Sequence, residues 1–184
     1  MQDGHAAPRR GFLLTLALPA LAGCVQPLGQ PYLGGFGDPV RGAALNAPWH
    51  FGDMPRYAGS PRDAALATVQ LEFLADTLNT DPYWSPLVSG TVQVQLRMAR
   101  QDLRAAIGIA PEAPPAVVMG ALRTAADALA QGSPARAEAA LAPPVFVPGG
   151  RATLQRLASL PRLPRLTEAA AAVSNEIYRI DSRR

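Results

Sequence analysis

The sequence predicts an all-α protein, a bundle of about five to six helices. Three observations carry that prediction. Apolar residues recur at helical spacing in several separate stretches after Ser60. Those stretches are divided by short Pro/Gly turns, the connection expected between packed helices. The chain shows no long alternating apolar and polar run, and no repeat at the periods typical of solenoids. The expected organisation is a leader over 1–23, a Pro/Gly-rich tether over 24–59 and a helical domain over 60–184.

The leader opens with Arg9 and Arg10, followed by an apolar run from Phe12 to Ala22. The run falls short of the ~20 apolar residues that cross a bilayer. A basic start, a short apolar segment and small residues after it describe an export signal, here a signal helix. The run closes in Leu21-Ala22-Gly23-Cys24.

That closing motif resembles the lipobox of bacterial lipoproteins: Leu, two small residues, then Cys. The resemblance implies a diacylglycerol thioether on Cys24, cleavage between Gly23 and Cys24, and acylation of the new amine. The chemistry fits. Small residues let an extended backbone enter a narrow protease site, and only a thiol can form the thioether. More than one acyl chain is needed because a single chain anchors marginally, at about 0.8 kcal/mol per buried methylene. The competing reading is an ordinary signal peptide followed by an incidental core cysteine. Against it, Cys24 is the only cysteine in the chain and stands where the pattern requires one.

Pro8-Arg9-Arg10-Gly11-Phe12-Leu13-Leu14 also resembles the twin-arginine export motif. Pro8 replaces the usual Ser/Thr and Leu14 stands where Lys is common, so the general secretory route stays open. Val25 follows the cysteine. In the best-known sorting rule an aspartate there marks inner-membrane retention, so the resemblance implies the outer membrane, facing the periplasm.

Of the 184 residues, 161 remain after Gly23, enough for one domain and a tether. An apolar content of 48% suffices for a core. All 17 basic residues are Arg, and from Cys24 onward the balance is +2. A nearly balanced domain is a poor nucleic-acid binder, because that affinity rests on neutralising many phosphates. With Cys24 assigned to lipid, no intrachain disulfide is expected in an oxidising compartment.

From Val25 to Gly59 the chain is rich in Pro and Gly, for example Gln26-Pro27-Leu28-Gly29-Gln30-Pro31 and Gly34-Gly35-Phe36-Gly37-Asp38-Pro39. It reads as a tether. Tyr32, Phe36, Trp49, Phe51 and Tyr57 are costly to leave in water, so Ala47 to Tyr57 is expected on the domain surface, plugging apolar grooves.

Ser60-Pro61-Arg62-Asp63 starts the first domain helix: Ser60 can cap, Pro61 suits the first turn and Asp63 complements the positive helix end. At 100° per residue, Leu66, Val69, Leu71, Phe73, Leu74 and Leu78 fill a wide arc, leaving Glu72, Asp76 and Asn79 a narrow remainder. So wide an arc requires two or more neighbours. The helix should end near Asn79. A second runs from Ser85 or Pro86 to about Gly108. It gathers Gln93, Arg97, Arg100 and Arg104 on one side, with apolar stripes Leu87–Val94–Met98 and Val92–Leu96–Ala99–Leu103. Gln95 and Asp102 fall between the stripes, so Asp102 is expected to be buried with an arginine of another helix, or else to sit on a wet edge.

Pro111-Glu112-Ala113-Pro114-Pro115 breaks the chain before a helix over 116–131, with Val118, Ala121, Leu122, Ala125 and Leu129 on one face. Gly132-Ser133-Pro134 separates it from a short helix over 135–141. Pro143 to Gly150 is extended and too short to found a sheet. A helix over 151–160 follows, interrupted by Pro161 and Pro164. In the last helix Thr167 caps, Glu168 favours the first turn, and Ala169, Ala170, Val173, Ile177 and Ile180 share a face.

Little in this chain resembles catalytic machinery. After the leader His50 is the one histidine, and a loop-packing role beside Trp49 and Phe51 suits it better than a triad. One histidine and no free thiol make a zinc or iron site unexpected, and no phosphate-cradling Gly loop or dinucleotide fingerprint implies a cofactor. Glu72 and Asp76, at i and i+4, read as a solvated face. Arg97, Arg100 and Arg104 form a candidate anion face for lipid headgroups or envelope polymers, or a solvated face paired with Glu72 and Asp76. Tyr83-Trp84 is a candidate interface, or a seal at the bundle end. The function expected is a non-enzymatic, membrane-anchored envelope lipoprotein that docks onto or supports an envelope protein partner. The alternative is a carrier enclosing a small apolar ligand or lipid; a carboxylate-based hydrolase is third.

Overall fold

The computed structural model describes Met1 and residues 38–183; the signal helix with Arg9 and Arg10, and the lipobox residues Gly23 and Cys24, lie outside the described residues. The fold is all-α. Eight helices form among the described residues: α1 (Pro39–Leu45), α2 (Ala47–His50), α3 (Pro61–Thr80), α4 (Gly90–Ile107), α5 (Pro115–Ala130), α6 (Pro134–Ala140), α7 (Gly150–Leu157) and α8 (Pro164–Asp181). A 3-10 turn spans Met54–Tyr57, and one isolated antiparallel bridge joins Ile109 to Phe146.

Helix α3 is the central element, packed against α1, α2, α4, α5, α7 and the 3-10 turn. Eleven of its residues are buried, from Ala64 to Leu78. Three alanines in its first half (Ala64, Ala65, Ala67) keep side chains short there, so neighbouring backbones can approach from several sides. Ser60 does not cap through its oxygen; its hydroxyl donates to Asp63 Oδ2 at 2.7 Å, fixing the first turn from the acidic side.

Helix α4 begins four to five residues later than the sequence suggests. Ser89 is its N-cap, accepting weakly from Val92 N at 3.5 Å, while 82–87 forms turns. The α4 terminus is cleaner: Gly108 takes φ +88°, and Gly108 N and Ile109 N both donate to Arg104 O at 2.8 Å. Helices α4 and α8 run antiparallel, tied by Asp102–Arg165 at one end and Ser89–Glu176 at the other. Helix α8 starts at Pro164 rather than after Thr167, because proline at the first position costs the helix no hydrogen bond. Thr167 is therefore inside the helix, and its hydroxyl donates to Gly52 O at 2.6 Å.

The domain boundary expected at Gly59 is corrected. Folding is already under way at Asp38, whose carboxylate accepts from Val40 N at 2.9 Å and caps α1. Val40, Ala43, Ala44, Ala47, Phe51 and Met54 all join the core. The Pro and Gly content that suggested a tether serves here as helix punctuation, with Pro39, Pro48 and Pro55 in the first turns of three short helical pieces. Pieces of four to seven residues lack a legible 3.6-residue period.

Candidate functional site

Three of the ion pairs among the described residues lie on or against α4. At its C-terminal end Arg104 is 5% exposed and Glu72 on α3 is 1% exposed. Arg104 Nε donates to Glu72 Oε1 at 2.6 Å and Nη2 to Oε2 at 2.7 Å, a bidentate pair. Arg104 Nη1 donates to the carbonyls of Pro111 and Ala113 at 2.8 and 2.9 Å. One guanidinium thus joins α3, α4 and the loop leading to α5. Breaking such a buried pair from one side costs about 3–5 kcal/mol.

This arrangement overturns part of the expected anion face. Arg104 does not stand with Arg97 and Arg100 on a solvated side; the wide apolar arc of α3 closes over Glu72 and draws Arg104 inward. Glu72 is likewise not on a solvated face with Asp76, which is half-buried. Arg97 is exposed and donates to Asn79 Oδ1. Arg100 is half-buried and borders a cleft of about 490 Å³ with Gln101, Arg104, Pro111 and Glu112. With Arg104 engaged by Glu72 and two carbonyls, the charged side chains left to line this cleft are Arg100 and Glu112. Its charge is balanced, a poor basis for holding an anion.

Asp102 finds the arginine expected from another helix, at the surface rather than in the core. Arg165 Nη1 donates to Asp102 Oδ1 and Oδ2 at 3.0 and 3.2 Å, and the side chains are 53% and 32% exposed respectively. Met98 and Gln95 border a small hollow beside that pair together with Glu168.

The Leu87–Val94–Met98 stripe, expected to meet the core, faces solvent. Val94 is 43% and Met98 38% exposed, while Val92, Leu96, Ala99, Leu103 and Ile107 form the buried face. The expected interface pair divides. Trp84 is 4% exposed and seals the bundle end, with the Arg41 guanidinium 5.7 Å from its ring centroid; Tyr83 is half-exposed and meets Trp84 edge-to-face at 5.3 Å. The two rings stay in contact, but only Tyr83 reaches the surface.

A second buried carboxylate went unseen in the sequence. Glu176 accepts from Ser89 N at 2.6 Å and from Arg179 Nε and Nη2 at 2.7 Å each. The Arg179 hydrogen bonds, with help from Ser89, hold its pKa below the ordinary value despite the opposing pull of burial. Spacing at i, i+3 with Arg179 was the available signal. His50 is buried; desolvation first, and the nearby Arg56 charge second, lower its pKa. Arg56 stacks 3.6 Å from the ring centroid of Trp49 and donates to Trp49 O at 2.8 Å, so His50 sits in a packed local knot.

The space among α3, α4 and α5, where an enclosed apolar ligand would sit, is occupied by Leu71, Leu74, Leu78, Leu96, Leu103 and Leu122, each no more than 1% exposed. Among the described residues no set of three or more His, Cys, Asp or Glu side chains is placed to hold a metal ion, and no helix is long and apolar enough to cross a membrane. Comparison of the chain with protein-family models, with curated proteins and with solved structures yields no match.

Proposed function

We propose that the protein is a non-enzymatic lipoprotein of the bacterial envelope, held to a leaflet through acylated Cys24, whose helical body serves as a docking or supporting module facing the periplasm. The observation that carries this reading is the Leu21-Ala22-Gly23-Cys24 motif behind an apolar run too short to span. The outward Val94 and Met98 side chains support docking, because an unpartnered helix face is normally charged. A carrier role gains no support from the leucine-filled interior. A carboxylate hydrolase gains none from Glu72, whose buried partner is a guanidinium rather than a second carboxylate.

The test is fractionation of cells expressing the full chain. Wild-type protein is expected in the membrane fraction with acyl label; Cys24→Ser is expected in the soluble fraction without label. A Cys24→Ser variant that stays membrane-bound would overturn the anchor. Crosslinking in intact envelope, followed by identification of the captured protein or lipid, separates docking from carriage.

A further inference from the structure

The outward face of α4 is uncharged over its whole length. Thr91, Val94, Met98, Gln101 and Ala105 are all exposed, and they alternate at spacings of three and four residues. This is an a/d heptad pattern, with Thr91, Met98 and Ala105 at a and Val94 and Gln101 at d. The strip is about 21 Å long at 1.5 Å per residue. Its two flanks differ in charge. Arg97 and Arg100 lie on the α3 side, and Asp102 and Glu168 lie on the α8 side, where Arg165 offsets one of them.

We infer that this face pairs with the same face of a second copy, the two α4 helices lying parallel about a two-fold axis. The charges choose the direction. Arg97 occupies a g position and Asp102 the e position five residues on, so a parallel pair sets Arg97 of each protomer against Asp102 of the other. An antiparallel pair would set g against g and e against e, bringing arginines together. The anchor favours the same direction, and to that extent the inference rests on the lipoprotein reading. The chain enters the bundle at Asp38, beside the α4 N-terminal end: Arg41, three residues on, contacts Trp84 and Asp181, and Arg179 reaches Leu87 O at 3.0 Å. Asp38 lies fourteen residues along the chain from Cys24, a reach of at most ~50 Å. Copies anchored in one leaflet are thus all tethered through that same end, which suits a parallel pair. One helix pair with Gln101 and Thr91 in its seam is small beside a standard interface of ~1,600 Å², so the dimer is weak in solution and populated where anchoring concentrates the chains.

The experiment places single cysteines in the full chain, at Thr91, at Ala105 and, as a control, at exposed Val117 on α5, and oxidises intact envelopes. Acyl labelling of Cys24 is read on the same samples. The parallel pair predicts disulfide-linked homodimers for both Thr91→Cys and Ala105→Cys, and none for Val117→Cys. Adding Arg97→Glu should cut the linked fraction about five-fold, the scale of one or two charge pairs reversed, and Asp102→Arg in the same chain should restore it. Linking at neither position beyond the control, with Cys24 acylated, overturns the dimer and leaves the anchor standing. Linking only in cells carrying both variants, Thr91→Cys to Ala105→Cys, shows an antiparallel pair and also overturns it. Linkage to a different protein does the same. Linking at both positions without acylation supports the parallel pair and overturns the anchor.

Discussion

At the scale of single residues the energetics concentrate on a few buried polar groups. Glu72→Ala leaves the Arg104 guanidinium buried and unpaired, and should lower the unfolding free energy by about 3–5 kcal/mol, read by urea denaturation. The double replacement Glu72→Leu, Arg104→Met should recover much of that loss, since an apolar pair of similar volume carries no desolvation cost. Recovery will be incomplete, because the Pro111 and Ala113 carbonyls lose their donor. Thr153 is fully buried and its hydroxyl has no hydrogen-bond partner among the described residues. Thr153→Val should therefore be neutral or stabilising by up to ~1 kcal/mol, visible as an unchanged or higher Tm.

Two titrating groups give stability an acid-side slope. Glu176 has a folded pKa below its ordinary 4.5, so the unfolded chain binds its proton first as pH falls. Its contribution is complete above about 4.5 and is lost as pH drops through the lower folded value. His50, with a folded pKa below 6.5, acts in the same direction at higher pH: unfolded chains take up the proton first, and stability declines from about 6.5 downward. Glu176→Gln should flatten the profile below pH 4.5, and His50→Gln should flatten it just below 6.5. Chemical denaturation across a pH series checks both.

At the scale of elements, close approach matters more than propensity. An added Cβ at Gly150, the first residue of α7, would fall on the Glu138 carbonyl of α6, which is backbone and cannot swing aside. Gly150→Ala should thus destabilise by about 2 kcal/mol or more and loosen the α6–α7 contact, measurable as faster amide exchange in α7. The short N-terminal helices are equally integral. Phe51 is fully buried, so Phe51→Ala should cost about 3–5 kcal/mol, as for a core aromatic anywhere in the bundle.

At the scale of the whole molecule, the helical class and the six helices from Pro61 onward were legible because each has its own Pro or Gly boundary and the longer ones carry their own apolar period. What escaped depends on context rather than local pattern. Helices α1 and α2 are too short to show a period. Which of two apolar stripes on α4 turns inward is decided by α3 and α8, and the sequence of α4 alone is ambivalent. Glu72 looked solvated because it lies in the narrow polar sector of α3; only with neighbours on nearly every side does that sector close. The arginine expected for Asp102 could be anticipated from charge and spacing, but its place at the surface could not. The lipidation proposed for Cys24 rests on motif chemistry, independent of the fold.

The attachment of α1 bears on how the body would respond to tension. Arg41 meets Asp181 at 2.9 Å, and Ser174 on the preceding turns of α8 donates to Leu45 O at 3.4 Å, so α1 lies antiparallel against the last turns of α8. A load between Asp38 and the end of α8 enters both helices at that shared end, so it parts the contacts in succession, Arg41–Asp181 before Ser174–Leu45. Peeling of this kind makes α1 come away at low force, ahead of the rest of the bundle, in a single-molecule experiment that pulls on the two ends.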